Sequence, residues 1–460
     1  MRRLVLITGL VALVSAAALV VQHVKRDREY QSKMSEGDSA LDAGRADAAI
    51  EAYSGALALR PDSMAAHLRR GEAYRFQQRD DAAIRDLREA SRLGPSATQP
   101  LEIIGDIFDA EGRPAEASDY YARAVQLDSQ NPALLYKLGL SRYRSGEPAS
   151  AIDPLSRAVA QNDSFGEAHY LRGLVLRDTQ NVAGAIASLE HAIRVAPALV
   201  APREELADLY RVQGRPVEEI TALQALATID HHPSRAVAIA MAEVRHEQYD
   251  DAIATLTTAV AQAPNDASVQ LALGRVYLAR AERRLDRAAI RSATVAIGQA
   301  LGTAGRSSEG LALFGRALYL SGDDEGAERK LREAIAIQPV DLEAFGYLAD
   351  VCERRGRASD ARDALARLDA LQGDTAGPVV RAARLRRLGL LCLQMGDARG
   401  AVPYLRDATD AGQRDAATYA SLADASWRAG DADLARASLA SGLKIDPRQA
   451  ELLRLARIIH

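Results

Sequence analysis

An all-α fold, an α-α solenoid wound as a right-handed superhelix of about twelve helix–turn–helix units, is the fold class that this sequence predicts. Three observations predict it. A small residue returns every 34 positions along most of the chain. A glycine often stands seven positions after it, between two stretches whose apolar residues recur at helical spacing. A proline often stands 24 positions after it. Internal periodicity of this length belongs to repeat architectures, in which each unit is too small to bury its own apolar face and stacks on its neighbours.

The register runs through Gly37, Gly71, Gly105, Gly139, Gly173, Ala207, Ala240, Gly274, Gly315, Ala349, Gly389 and Ala423. The steps are 34 except for one of 33, one of 41 and one of 40, which places insertions of seven residues near 283–289 and of six near 376–381. Fixed small residues mark where two helices cross too closely for a large side chain. Gly44, Gly112, Gly146, Gly214, Gly322, Gly356, Gly396 and Gly430 take the middle position, where a left-handed residue ends the first helix. Pro114, Pro148 and Pro216 follow two residues later, where proline suits a helix start. Alanine recurs 12 and 19 positions after the small residue, as at Ala83 and Ala90, on the second helix. Pro61, Pro95, Pro197, Pro264, Pro339 and Pro447 close that helix. Pro154 and Pro403 fall inside second helices, where a local bend is expected.

Residues 1–29 stand outside the register. The stretch Leu4 to Val21 holds 18 residues without a charge, flanked by Arg2 and Arg3 before it and Lys25, Arg26 and Arg28 after it. That length meets the lower limit for a helix spanning a bilayer. The expected organisation is a signal-anchor helix over 1–29, repeats over 30–449 and a capping helix over 450–460. The rival reading of the first segment is a cleaved signal, because Ala16-Ala17-Ala18 resembles a cleavage site.

Aromatic residues make up only 5% of the chain, so alanine and leucine must build the core. The net charge is -4, and no basic stripe of the kind that tracks a nucleic acid stands out. Cys352 and Cys392, the only cysteines, occupy the same position of units ten and eleven and are expected to be free, buried thiols. There is no phosphate-binding loop and no nucleophile elbow. Glu243 and His246 stand three apart on a helix, a spacing a metal could use, but without further ligands they read as a surface ion pair. No enzyme activity, cofactor, metal or small-molecule substrate is expected.

The landmarks small–Gly–Ala–Ala–Pro, twelve times in register over about residues 30–449, resemble the tetratricopeptide repeat family. That resemblance implies a binding protein whose first helices line a concave groove. Carried over, it puts Asp38, Asp42, Glu72, Glu102, Asp106 and Asp109 in an acidic mouth, offset by Arg75. Val237, Met241, Val244, Leu271 and Leu278 form a later apolar stretch, and Trp427 lies at the end. Between them Tyr136, Leu140, Tyr143, Tyr170, Leu174 and Arg177 form the expected partner-binding patch, since tyrosine and arginine are enriched at binding hot spots. The rival reading packs the three tyrosines inside the array. Family members that clamp a peptide backbone use asparagines on first helices. The four asparagines here, Asn131, Asn162, Asn181 and Asn265, fall at or near turns, so that device does not carry over. The expected partner is a protein or peptide, with the membrane contacted through the N-terminal helix and no nucleic acid. The expected setting is a single-pass bacterial inner-membrane scaffold with its repeats periplasmic, serving an envelope assembly such as a pilus, polysaccharide export or outer-membrane protein handling. A cleaved, soluble periplasmic module and a non-catalytic subunit of a glycosyltransferase or export system are the alternatives.

Overall fold

The computed structural model describes the backbone of residues 2–284 and 286–459, and the side chains from residue 19 onward apart from those of residues 285, 374 and 460. Among these residues there are only helices and turns. In chain order the hairpins are α1 (Arg2–Asp42) with α2 (Ala46–Leu59), α3 (Met64–Phe76) with α4 (Asp80–Leu93), α5 (Gln99–Ala110) with α6 (Pro114–Leu127), α7 (Pro132–Arg144) with α8 (Pro148–Gln161), α9 (Gly166–Asp178) with α10 (Val182–Val195), and α11 (Ala201–Val212) with α12 (Pro216–Ala227). They continue with α13 (Pro233–Arg245) and α14 (Tyr249–Gln262), α15 (Ala267–Arg284) and α16 (Arg287–Ala304), α17 (Ser308–Ser321) and α18 (Asp324–Ile335), α19 (Glu343–Arg354) and α20 (Ala358–Gln372), α21 (Pro378–Gln394) and α22 (Ala398–Asp410), and α23 (Ala416–Ala429) and α24 (Ala432–Ile445), followed by α25 (Ala450–Ala456). The chain divides into two compact bodies, Met1–Ala222 and Leu223–His460. Within each body neighbouring helices pack on each other, as α3 on α4 and α4 on α5 in the first and α17 on α18 and α18 on α19 in the second. This is the expected all-α solenoid of twelve helix–turn–helix units.

Eleven of the twelve hairpins are closed by the same backbone device. All eight middle glycines have positive φ, between 65° and 93°. The residue after each donates its N–H to the carbonyl five residues back, as from Arg113 to Phe108 and from Arg357 to Cys352, which satisfies a carbonyl the helix end would orphan. Units two, five and seven lack the glycine, and Gln78, Gln180 and Glu247 take its conformation at φ 59°, 63° and 61°. A non-glycine residue there costs about 1–2 kcal/mol. Glycine also raises the entropy of the unfolded chain, which returns about 0.4–1 kcal/mol of that. Gln78→Gly and Gln180→Gly are therefore each expected to stabilise the protein by about 0.5–1 kcal/mol, read as a higher denaturant midpoint. Glu247 also pairs with Arg283 at 2.6 Å, so its replacement gains less.

The small residue marks a close helix crossing. A Cβ built on Gly105 would fall 2.6 Å from the Tyr121 ring, and on Gly139, Gly315 and Gly389 it would fall 2.5, 2.6 and 2.5 Å from the Cγ atoms of Leu155, Leu331 and Leu405. In each case the partner stands 16 residues later, on the second helix of the same hairpin. The glycine removes the side chain that would hold the helices apart, and a large residue opposite fills the space gained. Pro114, Pro148 and Pro216 are the first residues of α6, α8 and α12. Pro154 lies inside α8 and Pro403 inside α22, and both helices run through them. Pro154 cannot donate to the Ser150 carbonyl, and Arg142 Nη1 donates to it instead at 2.9 Å.

The insertions differ in kind. The seven extra residues near 283–289 lengthen both helices of the hairpin, so that α15 and α16 have 18 residues each. Ala281, at the middle-glycine position, is therefore helical. The six near 376–381 follow a 3-10 turn, Gly373–Ala376, and lengthen the start of α21 to give 17 residues.

Helix α1 runs without a break through the expected boundary at residue 29. Tyr30 is buried, its hydroxyl 2.6 Å from Ser63 Oγ, and Asp27 pairs with Arg60. The apolar stretch Leu4 to Val21, short of its last three residues, lies outside the described side chains. Among the described residues no helix is long and apolar enough to cross a membrane. At the other end, Leu452 and Leu455 of α25 are fully buried, with α25 packed on α23 and α24. Cys352 and Cys392 are buried free thiols whose protonated form burial favours.

Candidate functional site

The first helices of the N-terminal body carry the expected patch. Tyr136, Leu140, Tyr143, Tyr170, Leu174 and Arg177 are all partly buried, neither sealed in the core nor free in solvent. Tyr136 and Tyr170 stand at equivalent places on α7 and α9, and Leu140 and Leu174 one turn further on. The patch rests on core residues Ala151, Leu155, Leu171 and Val175, against which Tyr136, Leu140, Tyr143 and Leu174 pack. The Tyr136 ring lies 5.0 Å from that of Phe165, centroid to centroid.

The polar groups of the patch are joined from unit to unit. Tyr143 Oη donates to Asp178 Oδ2 at 2.7 Å. Arg177 Nε donates to Asp178 Oδ1 at 2.9 Å and its Nη1 donates to Glu205 Oε2. Burial first, and the bond to Asp178 second, push the Tyr143 phenol above its ordinary range, so the hydroxyl stays protonated and remains a donor. The Arg177 charge is met by two carboxylates.

The acidic mouth is likewise largely met by cations. Lys137 Nζ lies 2.7 Å from both Glu102 and Asp106. Arg144 pairs with Asp109 at 2.7 Å, and Arg69 with Glu72 at 2.9 Å and Asp38 at 3.5 Å. In the C-terminal body Arg316 joins Glu282 and Asp350 at 2.8 and 2.9 Å, with its guanidinium over the rings of Tyr319 and Tyr347. Arg275 joins Glu309 at 3.0 Å beside an open cleft of about 540 Å³. Apart from Arg69 with Glu72, these ion pairs link residues about one repeat apart. Val237, Met241, Val244 and Leu271 are partly buried, whereas Leu278 is a core residue. Trp427 packs partly buried in the terminal cluster with Leu452 and Leu455.

Sequence reading missed two groupings of metal-ligand type. One holds Glu328, Cys352 and Asp360. The Glu328 carboxylate there is ringed by Arg332 at 2.9 Å, Arg355 at 2.6 Å and Arg357, so it already serves as counter-ion to three guanidiniums. The other holds Asp163, His169 and His191, with the two imidazoles stacked 4.0 Å apart. Of the pair considered from sequence, Glu243 is buried and accepts from the Thr255 hydroxyl at 3.1 Å, and burial raises its carboxyl above the usual range. It is a core group, not half of a surface ion pair.

Helical hairpins stacked within each body, with a left-handed turn and a close glycine crossing, define a repeat scaffold of the protein-interaction class. The chain belongs to the tetratricopeptide repeat family, whose model matches residues 34–98, 74–132, 136–200, 237–302 and 386–450. The small glutamine-rich tetratricopeptide repeat-containing protein 2 of Mycosarcoma maydis is 31% identical over 116 residues, which is 25% of this chain. The match spans 33% of that relative's length. Among solved structures, MamA is 25% identical over 36% of this chain and 96% of its own, with a TM-score of 0.34. YrrB, described as a TPR protein with an unusual peptide-binding site, is 18% identical over 40% of this chain and 96% of its own, with a TM-score of 0.37.

Proposed function

We propose that this protein is a non-catalytic scaffold that binds a protein or peptide partner on the first-helix face of units four and five. The observation that carries this reading is the strip formed by Tyr136, Leu140, Tyr143, Tyr170 and Leu174, aromatic and apolar yet only partly buried on adjacent first helices. Such a strip, flanked by ion pairs that are already satisfied, favours an occupant held by apolar and aromatic contact over one held by charge. The partner is therefore a segment with large apolar side chains, and its affinity depends only weakly on salt. Residues 1–29 tether the scaffold to a bacterial inner membrane with its repeats on the periplasmic side, where it serves an envelope assembly. The support for the tether is the uncharged 18-residue stretch between basic flanks.

Tyr143→Ala tests the binding reading. Its side chain is partly exposed and its hydroxyl bond is to a surface carboxylate, so the expected loss of stability is about 1 kcal/mol. A hot-spot role costs about 2 kcal/mol or more in affinity, roughly a thirtyfold weaker complex. Affinity capture from membranes with the wild type, this variant and a chain lacking residues 1–29 reads both parts. The expected result is partner loss with Tyr143→Ala, and retained partner with loss of membrane association for the truncated chain. A partner kept by Tyr143→Ala alongside a large fall in melting temperature would return the tyrosines to a packing role.

A further inference from the structure

Units two and five share a polar cluster on the side of the hairpin away from the strip, and they differ at one member. In unit two Ser54, His67, Arg70 and Asp86 form a closed set. The Asp86 carboxylate accepts from Arg70 Nε at 2.6 Å and Nη2 at 2.9 Å, and lies 3.1 Å from His67 Nδ1. His67 Nε2 faces the Pro61 carbonyl at 3.1 Å, and Arg70 Nη1 donates to Ser54 Oγ at 3.0 Å. Three repeats later the same positions hold Ser156, His169, Arg172 and Ser188. His169 Nε2 again faces the carbonyl six residues back, that of Asp163, at 3.1 Å.

The aspartate has become serine, and the consequence falls on the two atoms it would serve. His169 Nδ1 and Arg172 Nε are buried and, among the described residues, have no hydrogen-bond partner. Their counterparts in unit two are the atoms bonded to Asp86. His169 itself is only 4% exposed. A second carboxylate is lost beside it: Glu89, which pairs with Arg92 in unit two, is replaced by His191, stacked on His169 and facing Arg194. Unit five thus keeps the cationic half of the cluster and loses both acids from its hairpin, while Asp163, where unit two has Pro61, brings a carboxylate to 3.0 Å from His191 Nε2 and 3.6 Å from His169 Nε2, on the ring nitrogens other than Nδ1. Two buried nitrogens without a hydrogen-bond partner are costly, and replacing aspartate by serine frees the room of two heavy atoms.

We propose that unit five binds a small monovalent anion of the halide class, seated between His169 and Arg172 in the place that the Asp86 carboxylate occupies in unit two. The anion accepts from Arg172 Nε and His169 Nδ1. With Nε2 committed to the Asp163 carbonyl, Nδ1 donates only when the imidazole carries both protons. Binding therefore takes up a proton. The ionisable groups facing His169 are His191 on α10, Asp163 in the preceding turn and Arg172 on its own helix. Burial first, and His191 next, lower the proton affinity of His169, and an anion beside it reverses that. A neutral water needs no such proton, because it can donate to a bare Nδ1 while accepting from Arg172.

The test is chloride binding to the full chain, followed by excess chlorine NMR linewidth, with bromide located by anomalous diffraction. The wild type is expected to show excess linewidth at pH 6 and an affinity on the order of tenfold weaker for each pH unit above the imidazole range. Ser188→Asp supplies the carboxylate covalently and is expected to abolish the excess linewidth. Arg172→Met removes a donor and is expected to do the same, with helical circular dichroism retained in both. Bromide is expected between His169 and Arg172. No bromide there, or a linewidth unchanged by both substitutions or by pH, overturns the proposal and leaves water as the occupant.

Discussion

Gly139→Val is expected to cost about 3 kcal/mol, at the upper end of what overpacking a core exacts. Its Cβ would lie 2.5 Å from Leu155 Cγ and 2.7 Å from Cδ2. Leu155 is fully buried and sits beneath the tyrosine and leucine strip, so it cannot rotate away into solvent. The α7–α8 crossing must open or the leucine must leave its rotamer. Leu155→Ala alone is expected to cost about 2–5 kcal/mol through the cavity it leaves. Combined, the new valine methyls occupy part of that cavity, and the double variant is expected to lose at least 1 kcal/mol less than the sum. Because a repeat array unfolds in segments, hydrogen exchange resolved to units four and five is the measurement, not a single melting temperature. Additive losses would mean that the two residues do not oppose each other.

Asp86→Ala is expected to cost about 3 kcal/mol, because breaking a buried pair strands the partner charge. Asp86 has 10% of its side chain exposed and Arg70 21%. With the carboxylate gone, Arg70 loses two bonds and His67 Nδ1 loses its only one. Replacing both members by apolar residues, Arg70→Met with Asp86→Leu, is expected to recover most of the loss, since no charge is then left unpaired. Hydrogen exchange in α3 and α4 reads both variants. A double variant as unstable as Asp86→Ala would assign the cost to packing.

The sequence made the hairpin legible because its landmarks answer local needs. A left-handed turn needs glycine, a helix start tolerates proline, and a close crossing excludes side chains, so Gly112, Pro114 and Gly105 announced unit three on their own. Gln78, Gln180 and Glu247 were readable too, since the register places them where the turn demands positive φ, although nothing in their chemistry asks for it. Ala281 was not, because an insertion of seven residues fits a longer loop or two longer helices equally well. The tyrosine strip was found from spacing. Its neutralised surroundings were not, because Lys137 with Asp106 and Arg177 with Glu205 pair across neighbouring units, and such pairs have no signature within one repeat. The His169–Arg172 cluster was missed for a further reason: its signal is a difference between two copies, visible only when unit five is laid on unit two.

The unbroken course of α1 has a mechanical meaning. Its 41 residues, at a rise of 1.5 Å each, make a rod about 60 Å long, with no proline along it to act as a joint. The last turns of that rod are the first helix of the first hairpin, clasped by Tyr30 on Ser63 and by Asp27 on Arg60. Bending or twisting applied at the N-terminal end reaches the first repeat as torque instead of being absorbed by a swivel. Whatever grips that end sets the azimuth of the first hairpin, as a shaft sets the heading of the wheel keyed to it.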